Sequence, residues 1–159
     1  PTSGWLASAA GVLALTELYF TLYREVSDLF NILGHLYNVA AFAMIYRAVF
    51  HIDMDDPKVF ALGLANIGNL LRAVPEHHYD VVALFNGPAV TLLETEACAP
   101  YREEIWQLQQ NRVSFKVCRN ALNRFNLAPE NLIEGCELVP AGVVALIELQ
   151  QDGYAYIKP

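Results

Sequence analysis

Three cysteines, Cys98, Cys118 and Cys136, are the side chains of this 159-residue chain best suited to covalent chemistry. Cys118 closes the stretch "VSFKVC" and leads into "RNALNRF", so it stands where a strand gives way to a helix. A helix N-terminus and the neighbouring cations Lys116 and Arg119 both favour thiolate over thiol, and thiolate is the nucleophilic, sulfur-accepting form. The bland alternative is a small buried apolar residue, and the sequence leaves it open. Cys98 precedes "APYREE" at another helix start. Cys136 lies in "EGCE", where acidic neighbours raise a thiol pKa, which makes it the poorest nucleophile of the three. Cys98 and Cys136 are read as bystanders. An odd number of cysteines at unmatched spacings fits neither a disulfide framework nor a zinc site of the CxxC type, and points to a reducing setting.

Other reactive residue types are placed less suggestively. His77 and His78 sit in "VPEHHYD", a helix-to-strand loop without further ligands at useful spacing, so no metal is expected. His51 falls within a strand and reads as a packed or hydrogen-bonded histidine rather than a catalyst. Asp53, Asp55 and Asp56 precede "PK" at a helix start, where capping and the helix dipole explain acidic residues without a bound cation. No Gly-rich phosphate loop, Ser-His-Asp arrangement or paired-carboxylate motif is recognisable, and no cofactor is expected.

The elements that must position these residues alternate regularly after residue 47. "AVFHID", "YDVVALF", "VSFKVC", "CELVPA" and "GYAYIKP" read as strands, and "PKVFALGLANIGNLLRAV", "PYREEIWQLQQN", "RNALNRF" and "GVVALIELQQ" as helices. The first helix repeats apolar residues at Phe60, Leu64, Ile67, Leu71 and Val74 behind Pro57. Such alternation implies an α/β domain with a mostly parallel five-stranded sheet covered on both faces. Ligands of open parallel sheets bind beyond the carboxyl ends of the strands. That edge is expected to hold Asp53, Asp55 and Asp56, then Asn86 and Gly87, then Cys118 and Arg119, and finally Pro140, Ala141 and Gly142, which together form the candidate cleft.

The front of the chain is different. Apolar residues make up 55% of the sequence and charged ones 17%, with mean hydropathy +0.28, and the apolar excess lies ahead of Asp53. From Gly4 to Phe50 the charged residues are Glu17, Arg24, Glu25, Asp28 and Arg47. "GWLASAAGVLALTELYFTLY" is about 20 residues, the length that crosses a ~30 Å hydrocarbon core at ~1.5 Å per residue. "REVSD" interrupts it, and Asp28 then caps a second apolar run in which Asn31, His35 and Asn38 share one helical face. Length alone allows either a spanning hairpin over residues 4–47, a pair of buried helices, or an oligomer interface. The lack of a basic segment ahead of the first run argues against a secretory signal peptide. Pro1 is read as a cut end. The cationic residues Arg47, Lys58 and Arg72 after the second run place the following domain in the cytoplasm, if the hairpin spans. A net charge of −7 and a pI near 5.0 argue against nucleic-acid binding.

Two resemblances sharpen this reading. "LALTELYFTLYREVSDLFNILGHLYNVAAFAMIYRAVF" resembles the closing two transmembrane helices of the MASE class of membrane-embedded sensor domains, which precede bacterial histidine kinases and diguanylate cyclases. The earlier helices of such a sensor are not in this sequence, so a sensing role is not carried over. "VFHIDMDDPKVFALGLANIGNLL", "VVALFNGPAVTLL", "VSFKVCRNAL" and "ELVPAGVVALIELQQDGYAYIKP" resemble the DsrE/DsrF-like family over residues 49–159. That resemblance implies a flavodoxin-like three-layer fold and assembly into trimers or hexamers. In the studied branches it also implies a cysteine, matched here by Cys118, that relays persulfide sulfur to an acceptor protein. Many members carry His where this chain has Asn86, a departure that removes a proton-transfer group. The alternative is a non-catalytic oligomeric module that binds a small ligand or partner, with Cys118 structural. Val49 and Phe50 are claimed by both resemblances. Assigning Ala48–Asp53 to the first strand gives a hairpin over 1–47 and an α/β domain over 48–159, with Arg47 at the membrane interface; a joining of two gene fragments would give the same pattern.

Overall fold

Tyr46 opens the first strand, two residues ahead of the expected start. The computed structural model describes residues 11–16, 18, 32–33, 35–36, 46–74 and 78–159. The chain divides into two units, Pro1–Ile45 and Tyr46–Pro159. In the first, residues 11–16, 18, 32–33 and 35–36 are helical, and the Thr16 hydroxyl donates to the Val12 carbonyl at 3.0 Å. Leu13, Leu15, Leu18, Ile32 and Leu36 are exposed. Among the described residues no helix is long and apolar enough to cross a membrane. Most of the expected hairpin, including Asn31 and Asn38, lies outside the described residues.

The second unit runs β1 (Tyr46–Ile52), α1 (Pro57–Ala73), β2 (Tyr79–Phe85), α2 (Arg102–Gln110), β3 (Ser114–Cys118), α3 (Arg119–Phe125), β4 (Cys136–Val139), α4 (Gly142–Gln151) and β5 (Ala155–Ile157). Arg47 therefore does not end a membrane helix. It pairs with Asp80 across β1 and β2, and its guanidinium donates to the Asp152 carbonyl at 2.9 Å while lying over the Tyr154 ring. Strand pairing satisfies its backbone groups, which a helix end at that position would leave open.

All strand pairs are parallel, in the order β4-β3-β2-β1-β5. From β1 to β4 each crossover moves one strand outward in the same direction. The last one returns over the whole sheet to the opposite edge. Right-handed crossovers then place α1, α2 and α3 on one face and α4 on the other. The core follows that division. Phe60, Leu64 and Ile67 of α1, Ile105 and Leu108 of α2 and Leu122 of α3 pack with Phe50, Ile52, Phe85, Phe115 and Val117. Ala145 and Leu146 of α4 meet Val49, Val82 and Leu84 on the reverse side. The layering is flavodoxin-like, but the strand order is not the 2-1-3-4-5 of flavodoxins.

Local chemistry sets the element ends. Asp56 caps α1 by accepting from the Lys58 amide at 2.8 Å, and Pro57 fills the first turn. Asn126 ends α3 in the left-handed region at φ 54°, which Asn tolerates better than most residues. Two 3-10 helices, Gly87–Leu93 and Pro129–Asn131, escape the sequence pattern. Gly87–Leu93 buries Ala89, Val90 and Leu93, and its short apolar run has no helical or alternating period to announce it.

Candidate functional site

Cys118 ends β3 opposite Val139 of β4, and the two strands part in opposite directions. The chain leaving β3 enters α3 on one face, whereas the chain leaving β4 passes through Pro140 and Ala141 to α4 on the other. This is the divergence that opens a crevice at the carboxyl edge of a parallel sheet. Cys118 is the N-cap residue of α3 and only 6% exposed. Gly142, the first residue of α4, is buried against it. A Cβ at Gly142 would lie 3.2 Å from the Cβ of Cys118 and 2.9 Å from that of Asn86, so α4 can sit this close only because position 142 has no side chain.

Asn86 joins this point to the other half of the edge. His51, on β1 and 9% exposed, has both ring nitrogens engaged: Nε2 lies 3.0 Å from Asn86 Oδ1 and Nδ1 lies 2.8 Å from the Tyr156 hydroxyl. The expectation of a packed, hydrogen-bonded histidine matches this geometry. The row Tyr156, His51, Asn86, Gly142, Cys118 thus crosses β5, β1, β2 and β3 in spatial order. Gly87 follows with φ +55°, a conformation that suits glycine, and a Cβ there would lie 3.1 Å from the Asp53 carbonyl. Beyond it the Asp53 carboxylate forms an ion pair with Lys158, whose hydrogen bond holds the carboxyl below its usual range against the opposing effect of burial.

Asp55 and Arg119 are exposed, and neither makes a hydrogen bond or ion pair among the described residues. Lys116 pairs with Glu137 at 3.3 Å, directly across β3 and β4, so one of the two cations expected to favour a Cys118 thiolate is already neutralised. Among the described residues no three of His, Cys, Asp and Glu gather closely enough to hold a metal ion. His77 lies outside the described residues.

A family model for the DsrE/DsrF-like family matches residues 47–159. The chain belongs to the DsrE/DsrF-like family. Residues 1–57 match a second model, MASE3, a membrane-associated sensor domain. The two matches share residues 47–57, and in the structure that stretch supplies β1 and the start of α1 of the DsrE-like sheet. A solved protein of unknown function from Methanobacterium thermoautotrophicum is similar at 30% identity and TM-score 0.66, over 72% of this chain and 99% of its own. No curated protein matches.

Within the DsrE-like domain the other two thiols are unsuited to nucleophilic work. Cys98 is fully buried, with Sγ 3.8 Å from the Thr95 carbonyl, and burial pushes its thiol up. Cys136 is pushed up to about 12, first by burial and then by its closeness to Cys98. The acidic neighbours invoked from the sequence are not the cause, because β4 carries this side chain into the core. The residues that sequence reasoning passed over are Tyr156 and Lys158. Both lie in the closing "YIKP", and what brings them to the site is the pairing of β5 with β1 across about a hundred residues of chain, which no local pattern encodes.

Proposed function

We propose that the DsrE-like domain is a sulfur carrier that works through Cys118. The observation that supports it is the position of this cysteine at the carboxyl end of β3, where the chains leaving β3 and β4 diverge to opposite faces and a glycine, not a side chain, packs beside it. Its thiolate attacks the outer sulfur of a persulfide donor. A bond forms between Sγ and that sulfur while the donor's S–S bond breaks, and the donor departs as thiolate and takes up a proton. An acceptor protein's thiolate repeats the step on the Cys118 persulfide. No oxidant is required, since the sulfane sulfur keeps its oxidation state throughout.

The second reading, a non-catalytic module that binds a small ligand or partner, is favoured by the 6% exposure of Cys118 and its place in the apolar core. Mass spectrometry after exposure to a sulfane-sulfur donor separates the two. Gain of one sulfur at Cys118 alone, lost in Cys118→Ser, supports the carrier; no gain, or equal gain at Cys98, Cys118 and Cys136, leaves the binding module.

The setting belongs to the same proposal. With Tyr46 and Arg47 taken up by β1, residues 4–45 tether the domain to a membrane with the α/β part in the cytoplasm, a reading supported by the sensor-domain match and by the outward apolar side chains of the first unit. Retention in the pellet after alkaline extraction is expected, and release would remove the tether. Self-association as a trimer or hexamer is suited by the outer face of α4, where Val143, Val144 and Ile147 are 62%, 52% and 50% exposed. Light scattering in detergent reads the copy number.

A further inference from the structure

We infer that His51 and Tyr156 form a positioning relay that fixes the direction of the Asn86 carboxamide, so that its N–H groups face the Cys118 crevice as donors to an anionic sulfur. The inference deepens the sulfur-carrier reading and rests on it for the identity of the ligand. With Asn86 Oδ1 facing His51, the relay assigns the protons in the row in one sense. Asn86 Oδ1 can only accept, so His51 Nε2 carries the hydrogen at 3.0 Å. In the tautomer that the relay uses, Nδ1 accepts and the Tyr156 hydroxyl at 2.8 Å donates to it.

The consequence lies at the far end of the row. β2 runs between β1, which carries His51, and β3, which carries Cys118. The three branches of the planar amide leave Cγ about 120° apart, so with Oδ1 held toward β1 the relay assigns Nδ2 to the branch that leads away from β1, toward β3. There Gly142 brings the Asn86 and Cys118 side chains against the same point, since an added Cβ would lie 2.9 Å from one and 3.2 Å from the other. A donor placed beside a terminal persulfide or thiolate sulfur stabilises its charge without bringing a second charge into a buried site. Without the relay the amide is free to rotate, and its oxygen would face the sulfur as readily as its nitrogen.

Buried polar rows of this kind often serve only to satisfy the histidine, and the test is built to tell the two apart. The second-order rate of Cys118 alkylation by iodoacetamide, mapped by peptide mass, is measured at neutral pH in the full chain in detergent. Circular dichroism melts confirm that each variant is folded. Asn86→Ala is expected to slow alkylation about tenfold, the scale of one lost hydrogen bond to a charged group. His51→Leu should slow it by a similar factor. His51→Gln, which keeps an N–H near the position of Nε2, should restore the rate to within about twofold of the parent. The double variant Asn86→Ala with His51→Leu should be no slower than either single one, because both remove the same donor. The relay is overturned if His51→Leu leaves the rate unchanged, or if His51→Gln is as slow as His51→Leu. Sulfur uptake is scored separately: a parent protein that takes up no sulfur sinks the carrier reading, while the alkylation rates still decide whether Asn86 is aimed at Cys118.

Discussion

Gly142 faces Cys118 with no side chain between them, and a Cβ there would lie 3.2 Å from the cysteine Cβ and 2.9 Å from that of Asn86. The second distance is shorter than real Cβ contacts permit, and both partners are held by strand ends. Gly142→Ala should therefore push α4 outward. Small-to-large changes at packed positions cost about 1–3 kcal/mol. Denaturant unfolding should show a loss in that range, and Cys118 alkylation should change with it, since the methyl group stands in the crevice. An unchanged midpoint together with an unchanged rate would mean that α4 does not seat against this edge.

Cys136 gives the domain an alkaline limit. Its folded thiol is pushed up to about 12, above the value near 9 expected in the unfolded chain. Between those values the unfolded state releases a proton that the folded state still binds, so stability falls as pH rises. The slope contributed is at most about 1.4 kcal/mol per pH unit. Cys136→Ala should flatten the loss between pH 9 and 12, measured by urea midpoints, once corrected for the methyl-sized change at neutral pH. A parent and variant that lose stability in parallel would contradict the burial assigned to this thiol.

The parts of the domain governed by local pattern were legible in the sequence. The 119–125 helix behind Cys118, the helix opening at Gly142, and the strand closing at Phe85 before Asn86 and Gly87 all follow from period and breaker residues. The placement of Cys118 and Pro140–Gly142 at one edge follows from the rule on carboxyl ends once the sheet is parallel, whereas the order of the strands, β4-β3-β2-β1-β5, was not read from the sequence. Long-range register was not legible. His51 meets Tyr156, Asp53 meets Lys158 and Lys116 meets Glu137 only because particular strands pair at particular offsets. The start of β1 was also displaced, because Tyr46 and Arg47 continue an apolar run and nothing within that run marks where strand pairing begins.

The ion pair between Asp53 and Lys158 ties the end of β5 to the end of β1. Its carboxyl titrates below the ordinary value, so the stability it adds is present above about pH 4 and is lost as pH falls through the lower, folded value. Both side chains are at least a third exposed, at 34% and 41%, and the contribution belongs with surface pairs worth about 0–1 kcal/mol. Asp53→Asn should be slightly less stable than the parent at pH 6, with the difference shrinking below pH 4 and in 1 M salt. A difference that persists at pH 2.5 would trace to the Asp53 loop rather than to its charge.

The boundary between the two units lies at Tyr46, and it can be tested by cutting the chain. Tyr46 pairs with Tyr79 and donates its amide to the His78 carbonyl at 2.7 Å, and Arg47 reaches the Asp152 carbonyl. A fragment of residues 46–159 keeps every one of these contacts together with both apolar clusters. It should unfold in one cooperative transition. A fragment of residues 50–159 loses Val49, which is fully buried at the centre of the α4 face, along with the pairs of Tyr46, Arg47 and Ala48. Burial of a valine alone is worth about 1.5–3 kcal/mol, and the lost strand pairing adds to that. The shorter fragment should therefore melt well below the longer one or fail to fold. Equal melting temperatures would return Tyr46–Val49 to the apolar run that precedes them and move the start of the sheet to Phe50.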